Sequence, residues 1–163
     1  MKTLTEGSPA PDFELPDQDG KPVRLSDLLL AGPVVLFFYP AALTPGCTKE
    51  SCHFRDLAAE FAAAGAQRVG ISADSVERQG EFDRAHDLGY PLLSDADGAV
   101  ATSYGVRRTY LTPVKRATFV IGTDRVVHRV VASEWRMDVH ADEALAALRT
   151  LCAASRDVRR AEG

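Results

Sequence analysis

An α/β layered sandwich with a mixed sheet is the fold class this chain predicts, on three observations. Short apolar runs of strand length alternate with stretches of helical period. The last two runs, Ala117 to Ile121 and Val126 to Val131, flank the turn Gly122-Thr123-Asp124 and predict an antiparallel hairpin, followed by one more helix. A further hairpin precedes the alternating part, so the sheet carries an N-terminal β-hairpin extension. At 163 residues the chain is one domain by size, expected over 1–163. It is long enough to bury roughly two thirds of its surface without disulfides or metals.

The elements follow in order. Asp12 to Leu15 reads as a short strand, and Asp19-Gly20 as a hairpin turn before Val23 and Leu25. Ser26 with Asp27 opens a brief helix over Leu28 to Leu30, stopped by Gly32-Pro33. Val34 to Tyr39 is continuously apolar or aromatic, the pattern of a strand buried on both faces. A helix then runs from about Gly46 to Ala64 and ends at Gly65. Val69 to Ser72 is a strand, and Asp74 or Ser75 caps a helix reaching His86 and Leu88, ended by Gly89. Leu92 and Leu93 form a short extended piece, residues 97–104 a short helix, and 109–114 a loop around Pro113. The last helix is expected from about Ala141 to Ala153, and the charged tail past about residue 152 is expected to fray.

One stretch carries chemistry: Pro40-Ala41-Ala42-Leu43-Thr44-Pro45-Gly46-Cys47-Thr48-Lys49-Glu50-Ser51-Cys52. Pro40 and Pro45 forbid extension of the preceding strand, and the helical pattern begins just beyond. Cys47 therefore falls in the first turn of a helix, where unpaired backbone N–H groups and the positive end of the macrodipole favour a thiolate. Cys52 lies five residues on. Ideal helix geometry separates the two Cα atoms by about 8.7 Å, whereas a disulfide needs about 4.4 to 6.8 Å. The two sulfurs bond only if the first turns of this helix unwind, which suits an enzyme cycling between a folded reduced state and a locally unfolded oxidised one.

The run Pro40-xxx-Thr44-xx-Cys47 resembles the peroxiredoxin signature. Its extension through Cys52 to Phe54-Arg55-Asp56 resembles the bacterioferritin comigratory protein subfamily, also called peroxiredoxin Q. The similarity runs from Gly7-x-x-Ala10-Pro11-Asp12-Phe13 through Gly70-Ile71-Ser72-x-Asp74, Leu93-Ser94-Asp95 and Tyr104-Gly105-Val106 to Arg116-Ala117-Thr118-Phe119-Val120-Ile121; the tail past about Leu151 is unmatched. The resemblance implies a thioredoxin-like fold, a mixed central sheet flanked by helices, and a thiol peroxidase acting on hydrogen peroxide and organic hydroperoxides. It implies Cys47 as peroxidatic and Cys52 as resolving cysteine, an intramolecular disulfide between them, regeneration by thioredoxin or a similar dithiol, and a monomer. Arg116, Thr44 and Pro40 complete the implied site. The guanidinium is expected to stabilise the thiolate and bind peroxide oxygen, the Thr44 hydroxyl to hydrogen-bond both, and Pro40 to shield the sulfur from water. Ala41-Ala42-Leu43 departs from the polar residues common at those positions, which makes the mouth apolar and favours tolerance of bulky peroxides.

Several of these residues have plainer readings. Cys52 also fits a core position on the inner face of its helix, and Arg116 an ordinary surface arginine, so its assignment rests on the Arg-x-Thr-Phe match. Glu50, three residues beyond Cys47, supports either the site or simply the helix dipole. His53 beside Cys52 invites a metal reading, but Cys47, Cys52 and His53 lack zinc spacing and disperse around a helix, so neither metal nor cofactor is expected. Cys152, among Leu145, Leu148 and Leu151, reads as a packed small hydrophobe. Trp135 is left open between an exposed loop residue and part of a partner surface.

Composition excludes other classes. A net charge of −4 offers no basic field for nucleic acid or anionic membranes. No stretch approaches the roughly 20 apolar residues of a membrane span. Residues 1–9 carry no apolar signal segment, so a cytoplasmic location is expected. The three cysteines then read as thiols with chemistry rather than a disulfide framework. Another class, a non-turnover redox sensor or metal-handling thioredoxin-like protein, is disfavoured because copper carriers of this fold use Cys-xxx-Cys with a distal histidine. The Cys-x-x-Cys of a disulfide reductase is absent.

Overall fold

The computed structural model describes residues 2–162. Its centre is a five-stranded sheet in the order β5-β4-β3-β6-β7, formed by β3 (Val34–Phe38), β4 (Gln67–Ser72), β5 (Leu92–Ser94), β6 (Ala117–Ile121) and β7 (Val127–Ala132). β3 pairs parallel with β4, and β4 with β5; β6 runs antiparallel to β3 and β7. The expected mixed sheet and terminal hairpin are therefore present. The N-terminal hairpin, β1 (Glu14–Pro16) with β2 (Pro22–Arg24), forms a separate two-stranded sheet.

β3 explains its own apolar run. Val34, Leu36 and Phe38 point into one core with Phe13, Leu25, Val100, Tyr104 and Phe119. Val35, Phe37 and Tyr39 point into the opposite core with Phe54, Phe61, Phe82, Leu145 and Leu148. A strand covered on both faces has no polar side to display, so period-2 alternation disappears. The second core is roofed by helices α2 (Pro45–Asp56), α3 (Ala58–Ala63), α4 (Val76–His86) and α6 (Asp138–Glu162). The first is closed by α1 (Leu25–Leu28), α5 (Ala99–Ser103) and the N-terminal segment. Phe54 stacks on Phe37 with ring centroids 4.2 Å apart and planes 6° from parallel, which ties α2 to the middle of the sheet.

Several boundaries differ from expectation. The helix expected from 46 to 64 breaks at Leu57 (φ −94°, ψ 19°), and this swings Phe61 toward Phe54, 5.8 Å between centroids. Ser26 does not cap α1: it lies inside the helix, and its hydroxyl donates to Asp12 Oδ2 at 2.9 Å. Ser75 does cap α4, accepting from Arg78 N at 3.2 Å. The expected frayed tail is instead helical, because α6 starts at Asp138 and continues through Glu162. Ala144, Leu145 and Leu148 anchor that helix in the core. Once nucleated, it extends at one hydrogen bond per residue through good formers such as Ala and Arg, although the extension is exposed. Among the described residues no helix is long and apolar enough to cross a membrane.

Candidate active site

Thr44 occupies the N-cap position of α2 and Pro45 its first turn, where the missing proline N–H costs nothing. Cys47 is the third helical residue, as its spacing predicted, and is fully buried. The sheet register delivers the second component. Phe38 pairs with Ala117, so Arg116 enters β6 level with the loop that leaves β3 toward Cys47. Its guanidinium reaches two groups on one face of α2: Nη2 donates to Cys47 Sγ at 3.3 Å, and Nη1 to Glu50 Oε1 at 3.3 Å. Arg116 is only 6% exposed and Glu50 0%. Glu50 thus lies in the buried group with Cys47 and Arg116 and not on an exposed face of the first turn.

One cation is thus shared between a sulfur and a carboxyl. Burial pushes the Glu50 carboxyl up to about 8, while the Arg116 charge pulls it down. Burial also works against the Arg116 charge, but Glu50 and Cys47 outweigh it, and the guanidinium holds its proton more tightly than an ordinary arginine. Arg116 Nε and Glu50 Oε2 have no hydrogen-bond partner among the described residues. The guanidinium is therefore oriented by Cys47 and Glu50 through its two terminal nitrogens. Glu134 fixes its backbone from outside, with Oε1 accepting from Arg116 N at 3.1 Å and from Arg108 Nη2 at 2.8 Å.

Thr44 departs from its expected contact. Its hydroxyl donates to Ala41 O at 2.7 Å, so in this state its proton is spent on the loop and not on the thiolate. Pro40 is half-buried at the head of the same loop. Asp74, read from sequence as a possible helix cap, instead holds this loop: its Oδ2 accepts from Ala42 N at 2.7 Å and from the Ser72 hydroxyl at 2.7 Å. Leu43 adopts φ 64° at the turn and is 36% exposed. Met137 was not anticipated. Its thioether and the Arg116 guanidinium both lie over Gly46 at the start of α2, where an added Cβ would stand in ordinary van der Waals contact, 3.5 Å from Met137 Cε and 3.4 Å from Arg116 Nη2.

Cys52 is half-buried on the same unbroken helix and opens on a cavity of about 300 Å³ lined by Lys49, Cys52, His53, Asp56 and Asp138. His53 bonds Asp142 of α6 at 2.8 Å. Among the described residues no group of three or more His, Cys, Asp or Glu side chains is placed to hold a metal ion. Cys152 is half-buried, its thiol donating to Ala64 O at 3.4 Å. Trp135 is 92% exposed. His140, which nothing in the sequence singled out, is fully buried beside Glu50.

A buried cysteine in the first turn of a helix, a guanidinium on its sulfur, and a mixed sheet carrying both define a thioredoxin-like thiol peroxidase. The AhpC/TSA family model matches residues 7–130, and the chain belongs to that family, the peroxiredoxins. A crystal structure of peroxidoxin BcpB from Mycobacterium tuberculosis is 61% identical and superposes with a TM-score of 0.87, covering 90% of this chain and 97% of that one. Chloroplastic peroxiredoxin Q of Sedum lineare is 42% identical over 149 residues, 91% of this chain and 80% of that protein. The bacterioferritin comigratory protein of Xanthomonas campestris, described for alkyl peroxide reduction, is 29% identical with a TM-score of 0.80, covering 91% and 98%. The resemblance to the peroxiredoxin Q subfamily and the thioredoxin-like fold are thereby established.

Proposed function

We propose that this peroxiredoxin reduces hydrogen peroxide and organic hydroperoxides with Cys47 as nucleophile, Cys52 as resolving thiol and a thioredoxin-type dithiol as electron donor. The observation that carries the reading is the 3.3 Å contact of Arg116 Nη2 with the buried Cys47 Sγ at the start of α2. The thiolate attacks one peroxide oxygen, the O–O bond breaks, and the leaving alkoxide or hydroxide takes a proton to become alcohol or water. Arg116 serves both ends, since the charge it holds on sulfur moves to the leaving oxygen within reach of the same fixed donors. Glu50 keeps that guanidinium aimed. Thr44 releases Ala41 O by rotating its hydroxyl toward the peroxide, and Pro40 keeps bulk water from the sulfur. Ala42 is buried in the core, and the apolar side chains of half-buried Ala41 and exposed Leu43 on this loop support acceptance of organic hydroperoxides.

Cys47 is left as a sulfenic acid. The Cys52 sulfur attacks it, hydroxide leaves as water, and a disulfide forms after the first turns of α2 unwind. The dithiol then exchanges with this disulfide and is itself oxidised. Cys47 and Cys52 lie on one helix, so resolution needs no second chain, which supports a monomer, and a cycle run on thiols suits a reducing compartment such as the cytoplasm. The steady-state test is peroxide consumption coupled to thioredoxin and its reductase. Cys47→Ser is expected to show no turnover, and Cys52→Ser a single equivalent without cycling. Full thioredoxin-dependent cycling by Cys52→Ser removes that residue from the resolving role.

A further inference from the structure

The carboxyl that aims Arg116 has a neighbour of its own. His140 is the third residue of α6, fully buried, and both ring nitrogens are engaged: Nδ1 lies 2.8 Å from the Thr118 hydroxyl on β6, and Nε2 2.8 Å from Ser133 O beyond β7. Ser133 O only accepts, so the ring proton sits on Nε2. Nδ1 is then an acceptor and takes the Thr118 proton. Burial holds the imidazole below its ordinary histidine value, against the pull of the Ser133 carbonyl, so the ring is neutral with a fixed tautomer. Nε2 also stands 3.6 Å from Glu50 Oε2, the carboxyl oxygen that lacks a hydrogen-bond partner among the described residues. The positive end of the N–H dipole thus sits beside that oxygen.

From this geometry we infer that His140 is a positioning residue for the peroxide step: its Nε2–H edge and its bulk fix the rotation of the Glu50 carboxyl, and Glu50 in turn fixes the Arg116 guanidinium over the Cys47 sulfur. The chain runs Thr118, His140, Glu50, Arg116, Cys47, and it crosses from β6 through α6 and α2 back to the residue before β6. Nothing else among the described residues binds the free oxygen of Glu50 or the Nε of Arg116. A carboxyl bound through a single oxygen turns about its last torsion, and a guanidinium bound only through its terminal nitrogens follows it. A displacement of about 1 Å at a reacting centre carries a rate penalty of about 10²-fold. The inference rests on Cys47 as the nucleophile.

The test is the second-order rate of Cys47 sulfenic acid formation with hydrogen peroxide, in the full-length protein carrying Cys52→Ser, by rapid quench and mass spectrometry at pH 9, where the Glu50 carboxyl is ionised. His140→Gln returns an amide near the Nε2 position and is expected within about 3-fold of the parent. His140→Asn returns one only near Nδ1 and is expected to lose at least about 10-fold. In a Glu50→Gln background the same His140→Asn change is expected to add less than about 2-fold, since its route to Arg116 is already cut. Thermal melts accompany each variant. If His140→Asn does not fold, Thr118→Val, which removes the donor that steadies Nδ1, takes its place with the same pattern expected. Equal rates for His140→Asn and the parent overturn the inference, as does a loss of undiminished size in the Glu50→Gln background, the mark of a purely structural role. A parent that is not oxidised at Cys47 instead overturns the assignment of the nucleophile.

Discussion

Replacing Glu50 by Gln changes how the stability of the reduced protein depends on pH, and the direction is unusual for a carboxyl. Glu50 is wholly buried, and its folded-state value of about 8 lies above the ordinary 4.5 that it regains on unfolding. Below about pH 4.5 both states hold the proton, and the carboxyl costs nothing extra. Between pH 4.5 and 8 the unfolded chain ionises while the folded protein keeps its proton, so stability falls with rising pH at about 1.36 kcal/mol per pH unit. Over the whole window the loss reaches up to about 5 kcal/mol, a large share of the 5–15 kcal/mol typical of a folded protein. Above pH 8 both states are ionised and the curve flattens.

Glutamine keeps the shape and removes the proton equilibrium, so the stability difference between parent and variant reports this carboxyl together with its coupling to the buried groups around it. Other shifted groups, such as Asp12 and Asp138, titrate alike in both proteins and cancel. Denaturant unfolding of both proteins under reducing conditions at pH 5, 6.5, 8 and 9 measures the difference. The expected result is a parent that loses several kcal/mol relative to Glu50→Gln from pH 5 to 8 and no more beyond. A flat difference refutes the burial argument. A flat difference is also what a carboxyl ionised from pH 5 upward gives, the case in which the attraction of Arg116 outweighs desolvation.

Other perturbations test neighbouring links. Arg116→Met removes the donor on Cys47 Sγ and is expected to slow Cys47 oxidation by about 10²–10³-fold, the usual effect of deleting one charge-stabilising donor; stopped-flow peroxide kinetics read it, and a change under 3-fold takes Arg116 out of the reaction. Phe54→Ala deletes a ring fully buried against Phe37 and is expected to cost about 3–5 kcal/mol in denaturant unfolding; a cost below 1 kcal/mol contradicts the packing role of α2. Stoichiometric peroxide is expected to lower the far-UV helical signal of the parent protein but not that of Cys52→Ser, because Cys47 and Cys52 sit on one continuous helix. An unchanged parent spectrum counts against unwinding.

What was legible in the sequence follows from where each signal resides. β3 was legible because five consecutive apolar residues closed off by Gly32-Pro33 and Pro40 are too short for a helix and fit a strand buried on both faces. The placement of Cys47 was legible because Pro45 marks a helix start by backbone chemistry alone. Arg116 carried no such mark: only the Arg-x-Thr-Phe match pointed to it, and its meaning depends on the antiparallel register that sets it beside Cys47. Glu50 read equally well as a helix-dipole residue, since burial at a position four residues before Phe54 is decided by what packs from α6 and β6. His140 was illegible, a histidine whose partners Thr118 and Glu50 lie 22 and 90 residues away along the chain and whose third, Ser133, offers only a backbone carbonyl. The break at Leu57 and the length of α6 escaped because the same helix-forming residues permit either outcome, and tertiary packing chooses. The Thr44 rotamer was not legible because it depends on an acceptor within the folded loop, here Ala41 O.

The central claim is that Cys47 and Cys52 complete a peroxidase cycle through local unwinding of α2. It is tested most directly by adding one equivalent of hydrogen peroxide to the reduced protein, then mapping the cysteines by intact and peptide mass spectrometry before and after a thioredoxin system. A loss of about two mass units located at a Cys47–Cys52 link, reversed by thioredoxin, is the predicted result. Unconsumed peroxide with all three thiols intact, or a link that instead involves Cys152, contradicts it.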